Sequence, residues 1–470
     1  ARETEPALIG HDQILWMQRL DEDIANLRLA LQIALDHPKE GGVNGLQIAS
    51  GLWRYWLVRG QLTEGCMWLE RMTQLPAEFP PVLHAGALNN LGNLYLELGQ
   101  LESARDHYIR SRDLYANVGD LYGVGDELNN LGLVELISGH FGESRRILED
   151  ALEMRRKYAD RLALPTTLCN LGDIAMFEGD FDTAVRYHAE AYDIRIEHGN
   201  KRGLALSCNA LGLIAYYRGD LPTADRWFAE GMGYAMELGD AYSKSLLQVD
   251  LGLVATARQN LIPALELTTT ALRTLHQMGS RRMMAEALDG LAEAAILARR
   301  YELAARLLGG AKLLRDEHAI AIATPNRAGF PTIEARLSRW LGDDEFAAQF
   351  ASGRRAPQEA VFAEALALLE DVRTNGVPAS ADDADPGAVA IDEARLGEIG
   401  LTAREREILS LLVHGFTDRQ IADQLYISPR TAMTHVGKVL NKLGVNKRAL
   451  AASVALRDHL VDPSAPLPHH

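Results

Sequence analysis

The stretch NNLGNLYLELGQ, residues 89–100, recurs along the chain at intervals of forty residues and decides the fold. The related stretches are NNLGLVELISGH (129–140), CNLGDIAMFEGD (169–180), NALGLIAYYRGD (209–220), VDLGLVATARQN (249–260) and DGLAEAAILARR (289–300). Small residues keep the same step at 104, 144, 184, 224, 264 and 304, and glycine recurs at 119, 199, 239 and 279. Each unit therefore predicts two helices joined by a tight turn and ended by glycine. Because one unit cannot bury its apolar face alone, the units are expected to stack into an all-α solenoid.

A glycine follows the recurring leucine in the middle of the first helix of most units. These glycines are Gly92, Gly132, Gly172, Gly212 and Gly252. Glycine in a helix interior costs about 1 kcal/mol relative to alanine, so its recurrence predicts close approach of a neighbouring helix. The Leu-Gly pair, with small residues about twelve and nineteen positions later, resembles the tetratricopeptide repeat (TPR) pattern. The period of forty exceeds the usual thirty-four, so we expect longer helices.

The periodic pattern extends beyond the clear units and then ends. Residues 46–72 show the same helix–turn–helix spacing of residues, with a turn at Gly60-Gln61, which indicates a diverged first repeat. Residues 333–371 have a helical pattern out of register and are expected to cap the array. An Ala-, Asp-, Gly- and Pro-rich segment follows, typical of a flexible acidic linker. We expect a repeat domain over 1–372, a linker over 373–396 and a second domain over 397–462.

Composition fits a large cytoplasmic protein. The 470 residues are 47% hydrophobic and 24% charged, and no apolar run is long enough to span a bilayer. The first residues lack a signal-peptide pattern and a starting methionine, so we expect a part of a longer protein. Cys66, Cys169 and Cys208 are widely spaced without a CxxC pair, which predicts reduced core residues and no structural metal.

Charge separates the end of the chain from the rest. The net charge is −16, yet residues 401–458 hold nine Lys or Arg against five Asp or Glu. An acidic body repels nucleic acid, so any DNA contact must come from this C-terminal segment.

Helix-start signals divide this segment into four short helices. Thr402 with Glu405 and Thr417 with Gln420 form capping boxes, and Ser428 precedes Pro429 as an N-cap. A fourth helix is expected near Asn446. The short connection between the second and third helices predicts a helix-turn-helix.

The third of these helices should have two different faces. At 100° per residue, one face collects Ala432, Val436, Val439, Leu440 and Leu443, and the other collects Arg430, Thr431, Thr434, Gly437, Lys438 and Asn441, with His435 and Lys442 at the border. The outward face has no acidic residue. Cations and small hydroxyls suit a DNA major groove, although an exposed basic helix of purely structural role has the same pattern.

The sequence of residues 401–448 closely resembles the LuxR-type DNA-binding domain; it reads LTAREREILSLLVHGFTDRQIADQLYISPRTAMTHVGKVLNKLGVNKR. The matching positions are Thr402, Arg404, Glu405, Glu407, Leu411, Gly415, Ile421, Ala422, Leu425, Ser428, Thr431, His435, Lys442, Leu443, Gly444 and Arg448. The resemblance implies binding to double-stranded DNA as a homodimer. We expect Arg430, Thr434 and Lys438 to contact the DNA groove and Lys442, Lys447 and Arg448 to contact phosphate. Thr431 and His435 are also expected to belong to the DNA-binding residues. Ala432, Met433 and Gly437 depart from the family pattern, so the operator cannot be inferred from relatives.

The remainder resembles the C-terminal part of large ATP-binding LuxR-type regulators, in stretches such as LDEDIANLRLALQIAL (20–35) and GLWRYWLVRGQLTEGCMWLERM (51–72). No GxxxxGK[ST] motif occurs, so no nucleotide site and no cofactor are assigned. No nucleophile motif or paired carboxylates appear either, which predicts a protein that is not an enzyme.

Polar side chains recur where helix A of a TPR-like array faces its groove. They are Asn90, Asn93, Asn130, Asn170, Asp173 and Asp250. An amide offers both a donor and an acceptor, which suits a peptide backbone, so a peptide or protein is expected there. A small effector is the other ligand class that the solenoid is expected to sense. The alternative is that these side chains bond between neighbouring helices. At the level of function, the alternative to a regulator is a TPR scaffold whose last module does not read DNA.

Overall fold

Helix pairs repeat every forty residues through the middle of the chain, as predicted. The computed structural model describes residues 8, 12–158, 161–321, 332–378, 393–413, 416, 418–445, 448–457 and 460–461, and within these ranges the regular elements are helices. They are α1 (Gln13–Asp36), α2 (Pro38–Val58), α3 (Leu62–Thr73), α4 (Pro81–Glu97), α5 (Leu101–Val118), α6 (Leu121–Ile137), α7 (Phe141–Lys157), α8 (Leu164–Phe177), α9 (Phe181–His198), α10 (Lys201–Tyr217), α11 (Leu221–Leu238), α12 (Ala241–Ala257), α13 (Leu261–Met278), α14 (Arg281–Leu297), α15 (Tyr301–His318), α16 (Ile333–Leu341), α17 (Asp343–Arg355), α18 (Gln358–Asn375), α19 (Glu393–Ile399), α20 (Ala403–Val413), α21 (Asp418–Gln424), α22 (Pro429–Lys442) and α23 (Arg448–Arg457). None of these described helices is long and apolar enough to cross a membrane.

The turn inside each unit keeps one backbone geometry whether or not glycine is present. Gly99, Gly139, Gly179 and Gly219 have φ between 80° and 83°. In the last two units Gln259 (φ 61°) and Arg299 (φ 58°) occupy the same left-handed conformation. The repeat therefore imposes this turn on residues that rarely adopt it. The glycine stops predicted at 119, 199, 239 and 279 are confirmed as left-handed C-caps.

The mid-helix glycines allow close helix contact, as predicted. A Cβ added at Gly92 would lie 2.6 Å from the Tyr108 ring, and one added at Gly212 would lie 2.5 Å from the Phe228 ring. Side chains sixteen positions further along the chain thus pack directly on glycine backbone in successive units. This contact explains why glycine is tolerated there despite its cost to the helix.

Both ends of the array are covered by helices of irregular length. The diverged first repeat is confirmed as α2 and α3, with Gly60 in the left-handed conformation between them. At the other end α16, α17 and α18 pack on α15, where a Cβ on Gly309 would lie 2.1 Å from a backbone oxygen of α17. Val361, Phe362 and the apolar side of α18 complete this core.

The array curls until units about 180 residues apart touch. Arg59 on one turn donates to the carbonyl of Gly239 (3.1 Å) and also pairs with Asp21 (2.7 Å). The Lys201 amide donates to Gln13 Oε1 (2.8 Å), and the Ala321 amide donates to the Ile137 carbonyl (2.9 Å). These contacts join residues that no local sequence pattern connects.

The C-terminal helices have an apolar core of their own. Leu396, Leu401, Ile408, Leu412, Ile421, Leu425, Val436, Val439, Ala455 and Leu460 are among its buried members. This cluster includes no residue of the repeats, so α19–α23 form a structural module distinct from the solenoid core.

Candidate nucleic-acid interface

Three capping interactions set the path of the helix-turn-helix. The Thr402 amide donates to Glu405 Oε2 (2.8 Å) and the Glu405 amide donates to Thr402 Oγ1 (3.3 Å), which confirms the capping box. Ser428 Oγ accepts from the Thr431 amide (3.1 Å) at the start of α22, with Pro429 in the first turn, as predicted. Thr417 and Asn446 lie outside the described residues.

The tight connection between α21 and α22 is held from α20. Arg404 donates to the Leu425 carbonyl (2.6 Å) and pairs with Glu407 (2.6 Å). Tyr426 occupies the turn with a φ of 50° and is 81% exposed. The Arg404 side chain therefore ties α20 to the end of α21 through a partly buried hydrogen bond, while the tip of the turn faces solvent.

Helix α22 has the two faces that its sequence predicts. Ala432, Val436 and Val439 are buried, and Leu440 and Leu443 are half-buried against the same core. On the opposite face all six predicted outward residues are exposed, namely Arg430, Thr431, Thr434, Gly437, Lys438 and Asn441. Among the described residues, the side chains of Arg430 and Lys438 have no hydrogen-bond or ion-pair partner. Two cationic side chains on an acid-free surface are thus available for a polyanion.

The remaining predicted contact residues are more constrained. Thr434 Oγ1 donates to the Arg430 carbonyl (2.9 Å), and Thr431 Oγ1 lies 2.7 Å from Ser428 Oγ. His435 is half-buried at the edge of the face. These groups lie beside Arg430 and Lys438 on one helix surface.

Two of the cations predicted for phosphate also bind within the module. Lys442 Nζ donates to Glu405 Oε2 (2.6 Å) and to the Gly400 carbonyl (2.7 Å). Arg448 donates to Asp418 Oδ1 (2.8 Å) and to the Phe416 carbonyl (2.9 Å). Lys447 lies outside the described residues. Lys442 and Arg448 therefore hold the module together, and each keeps spare N–H donors.

The sequence did not predict that Glu405 would bind Lys442. Its burial acts to raise the carboxyl pKa, but hydrogen bonds from Lys442 and Thr402 outweigh burial and lower the pKa to about 2. The capping-box motif identified Glu405, but only the structure shows that the same carboxylate binds the last turn of α22.

Arg419 and Met433 are further surface features that the sequence did not single out. Arg419 is exposed in the first turn of α21 and has no ion-pair partner in the described part of the chain. Met433 is 61% exposed on α22 next to the cationic face.

The six predicted groove residues fall into two groups. Asn90, Asn170 and Asp250 are buried. Asn90 Nδ2 donates to Ser50 Oγ (2.8 Å), and Asn170 Nδ2 donates to Asn129 Oδ1 (3.2 Å). Both bonds join neighbouring helices of the array, which is the geometry of the structural alternative.

Asp250 is also bonded between helices. Asn209 donates to its carboxylate, and burial raises the pKa of Asp250 to about 7. Such a carboxyl gains or loses its proton near neutral pH.

Asn93, Asn130 and Asp173 keep part of their surface in solvent. Asn93 Oδ1 accepts from the Tyr108 hydroxyl (2.9 Å), and Asp173 lies 3.2 Å from His188 Nε2. Asn130 Oδ1 receives a long hydrogen bond from Asn129 (3.3 Å). The Asn130 side chain also hydrogen-bonds the Glu127 carboxylate, which acts against the burial that raises the pKa of Glu127 to about 8.

A cavity of about 380 Å³ lies elsewhere in the array, among α9, α10 and α11. Tyr192, Ile214 and Trp227 form part of its mostly apolar wall, and Arg218 and Asp193 reach its edge. Its volume is within the range of small-molecule sites. None of the predicted groove residues lines it.

Comparisons with known proteins agree with these two structural parts. Residues 400–455 match the family described as "Bacterial regulatory proteins, luxR family", and residues 83–157 match "Tetratricopeptide repeat". The spore germination protein GerE of Bacillus subtilis is 44% identical over 57 residues, which are 12% of this chain and 77% of GerE.

Other relatives are covered only in part. The transcriptional regulatory protein LiaR of B. subtilis is 43% identical over 70 residues, 15% of this chain and 33% of LiaR. The chain thus spans about a third of that relative's length. The putative HTH-type transcriptional regulator Mb0914c of Mycobacterium bovis is 28% identical over 152 residues, 32% of this chain and 15% of Mb0914c.

A solved structure shares the solenoid fold. The Rap conjugation gene regulator of plasmid pLS20, solved with the Phr* peptide, is similar with a TM-score of 0.51 and 16% identity, over 59% of this chain and 76% of that one. Fold and site together define a TPR-type helical solenoid followed by a helix-turn-helix module. The chain belongs to the luxR family of bacterial regulatory proteins.

Proposed function

We propose that the chain is a DNA-binding transcriptional regulator in which α22 enters the major groove of double-stranded DNA. The observation that carries the proposal is the exposed, acid-free face of α22, on which Arg430 and Lys438 have no partner among the described residues. The separate apolar core of α19–α23 supports a C-terminal DNA-binding domain, expected over 397–462, beside a sensor domain over 1–372. Because α19 begins at Glu393 and Leu396 is buried in that core, we place the start of the DNA-binding domain at 393, within the linker expected over 373–396.

Within this proposal the cations divide into two roles. Arg430 and Lys438, with Thr431, Thr434 and His435, face the groove, where bidentate or point-charge contacts to base edges specify sequence. Lys442, Lys447 and Arg448 neutralise phosphates. Because Glu405 and Asp418 already compensate Lys442 and Arg448, these two contribute less to affinity than an unpaired cation would.

Genomic selection with the purified protein would test the proposal. DNA fragments retained by the protein are sequenced, and the affinity for the best fragment is measured over a range of salt concentrations. The logarithm of the affinity should fall linearly with the logarithm of salt, by about 0.9 for each phosphate neutralised. Retention of no preferred sequence would contradict the proposal.

The assembly and location follow from the same proposal. A helix-turn-helix regulator that binds as a homodimer requires two half-sites about one helical turn apart. The selected sequences should therefore contain an inverted repeat at that spacing. A DNA target also assigns the protein to the cytoplasm, and nothing in the proposal requires an enzymatic reaction.

We further propose that the solenoid binds a peptide or protein effector in its groove. The fold is shared with a Rap regulator that was solved with a peptide, and Asn130 presents an amide with spare hydrogen-bonding capacity. Backbone recognition by an amide side chain supplies affinity without dependence on peptide sequence.

A thermal-shift screen with a synthetic peptide library would identify such an effector. A peptide that binds the folded state raises the melting temperature. Asn130→Ala should reduce the shift, whereas Asn375→Ala, an exposed amide on α18, should not. A shift of equal size in all three proteins would remove Asn130 from the binding site.

A TPR scaffold is the second candidate, because Tyr426 and Met433 expose apolar surface beside the cationic face. Exposed aromatic and methionine side chains are typical of protein contact sites. The two functions differ in their response to salt. Association through Tyr426 and Met433 should weaken little as salt rises, whereas DNA binding weakens steeply.

A further inference from the structure

One buried position differs between units in a way that the fold does not require. The side chains that pack on the mid-helix glycines are Tyr108, Leu148, His188, Phe228 and Thr268. His188 is 1% exposed, and its ring would lie 2.7 Å from a Cβ at Gly172. Packing on glycine needs no imidazole, as the tyrosine, leucine, phenylalanine and threonine of the other units show. The third unit instead buries an imidazole.

Two neighbouring positions change together with His188. The position of Asp173 is Asn, Leu, Leu and Leu in the other units with the Leu-Gly pair, and the position of Cys169 is Asn, Asn, Asn and Val. Asp173 Oδ1 lies 3.2 Å from His188 Nε2. Burial acts to lower the pKa of His188, but the Asp173 carboxylate and the Cys169 thiol outweigh burial and raise it to about 10. The third unit therefore gathers Cys, His and Asp on α8 and α9.

Arg195 adds a positive charge on the other side of the thiol. Its Nη1 atom lies 3.3 Å from Cys169 Sγ, and donates to the Gly203 carbonyl (2.9 Å) and to Ser207 Oγ (2.7 Å). Only 7% of Arg195 is exposed, so the guanidinium is fixed in place. The charged groups that act on the thiol are thus Arg195, His188 and Asp173.

The three cysteines have different environments. Cys66 and Cys208 are buried, and burial raises the pKa of each thiol to about 12. Cys169 is partly exposed, which departs from the expectation of a core residue. Burial also acts to raise its pKa, but Arg195 and His188 outweigh burial, and the thiol pKa lies below its ordinary value.

We propose that Cys169 is a peroxide-reactive cysteine, activated by His188 and Arg195 and modified to the sulfenic acid. The thiolate sulfur attacks one oxygen of hydrogen peroxide, so that an S–O bond forms and the O–O bond breaks. The leaving hydroxide takes a proton from the His188 imidazolium and departs as water. Sulfur loses two electrons, and the peroxide gains them.

Oxidation of Cys169 does not depend on DNA binding, and it changes the solenoid at a defined place. Oxidation replaces the thiolate charge beside His188 and Arg195 by a neutral sulfenic acid. The product oxygen must also be accommodated between α8, α9 and α10, where Arg195 is already hydrogen-bonded. Oxidation therefore alters the contact between two neighbouring units of the array.

Trapping of the sulfenic acid would test this proposal on the full chain. The reduced protein is treated with hydrogen peroxide and dimedone, and peptides are quantified by mass spectrometry. Cys169 should be labelled at least tenfold faster than Cys66 and Cys208, which serve as internal controls. Equal labelling of the three cysteines would overturn the proposal.

Alkylation by iodoacetamide as a function of pH measures the thiol directly. The midpoint for Cys169 in the wild-type protein should lie below about 8.5, the value of an unperturbed thiol. His188→Phe places at this position the ring that Phe228 supplies in the next unit, so packing on Gly172 is retained. The variant should raise the midpoint and slow alkylation at neutral pH at least fivefold. A wild-type midpoint at or above 8.5 overturns the proposal even if the variant fails to fold, and a folded variant with unchanged kinetics overturns the role of His188.

Discussion

Two glycine-to-alanine substitutions in adjacent helices should have opposite effects on stability. Gly212 lies in the interior of α10, where an added Cβ would be 2.5 Å and 2.6 Å from two atoms of the Phe228 ring. Gly233 lies in the interior of α11, is exposed, and an added Cβ would meet nothing within 4 Å. The chemical change is identical, and only the surroundings differ.

The magnitudes follow from this difference. Alanine is favoured over glycine in a helix interior by about 1 kcal/mol, so Gly233→Ala should stabilise its helix by about that amount. Gly212→Ala gains the same term but forces a fully buried ring to move by about 1 Å. Overpacking of this kind costs about 1–3 kcal/mol, and the short contacts place this case at the upper end. The expected net effect is a loss of about 2 kcal/mol.

Hydrogen exchange followed by mass spectrometry would measure both effects in the intact chain. Local opening is the suitable quantity because repeat arrays do not unfold as one cooperative unit. Peptides from α10 and α11 should lose protection in Gly212→Ala and gain protection in Gly233→Ala. If Gly212→Ala were as well protected as Gly233→Ala, the packing explanation for the recurring glycines would be wrong.

Three further substitutions test contacts that stabilise the C-terminal module or the solenoid. Glu405→Gln should destabilise the C-terminal module by about 2 kcal/mol at pH 7, because the lowered carboxyl pKa of about 2 reflects its bond to Lys442. This loss of stability should shrink as the pH falls from about 4.5 towards 2, where the wild-type carboxylate becomes protonated. Hydrogen exchange of α22 at both ends of this pH range measures the effect. The wild-type protein should lose stability as the pH rises from about 4 to 7, since the pKa of Asp250 is raised to about 7 in the folded state. Asp250→Asn should remove this pH dependence, and thermal unfolding at several pH values measures it. A melting temperature that depends on pH equally in both proteins would show that burial of Asp250 is not the cause. Arg59→Ala should loosen the contact between turns of the solenoid by about 1 kcal/mol, seen as faster exchange around Gly239 and not in α22.

The period of the sequence predicted most of the fold because each unit depends on local signals. The turn at Gly60, the glycine caps at Gly119 and Gly199, and both faces of α22 follow from propensity and spacing alone. The turns at Gln259 and Arg299 could not be identified from residue type, since neither favours a left-handed backbone. There the neighbouring units determine the geometry.

Contacts between distant units could not be predicted for a different reason. The curl that brings Arg59 to Gly239 is the sum of small rotations between successive repeats, and no single pair of residues encodes it. The double role of Glu405 likewise needs the position of α22 relative to α20. Sequence patterns predicted which face of α22 is outward, but not that Lys442 is held by a carboxylate.

The face of α22 offers three different kinds of contact to DNA bases. Arg430 and Lys438 are separated by two helical turns, and Gly437 between them exposes only backbone. Met433 contributes an apolar contact that could meet a thymine methyl group. The selected DNA sequence would therefore show which of these contacts specifies a base.

The claim that α22 binds DNA is tested most directly by one pair of matched double variants. Arg430→Ala/Lys438→Ala removes two positive charges from α22. Arg112→Ala/Lys312→Ala removes two positive charges from half-buried, ion-paired positions on the solenoid. Affinity for the selected DNA should fall at least about 30-fold in the first variant, since each of the two contacts contributes about 1–3 kcal/mol, and less than about threefold in the second. Equal affinities of the two variants would contradict the account.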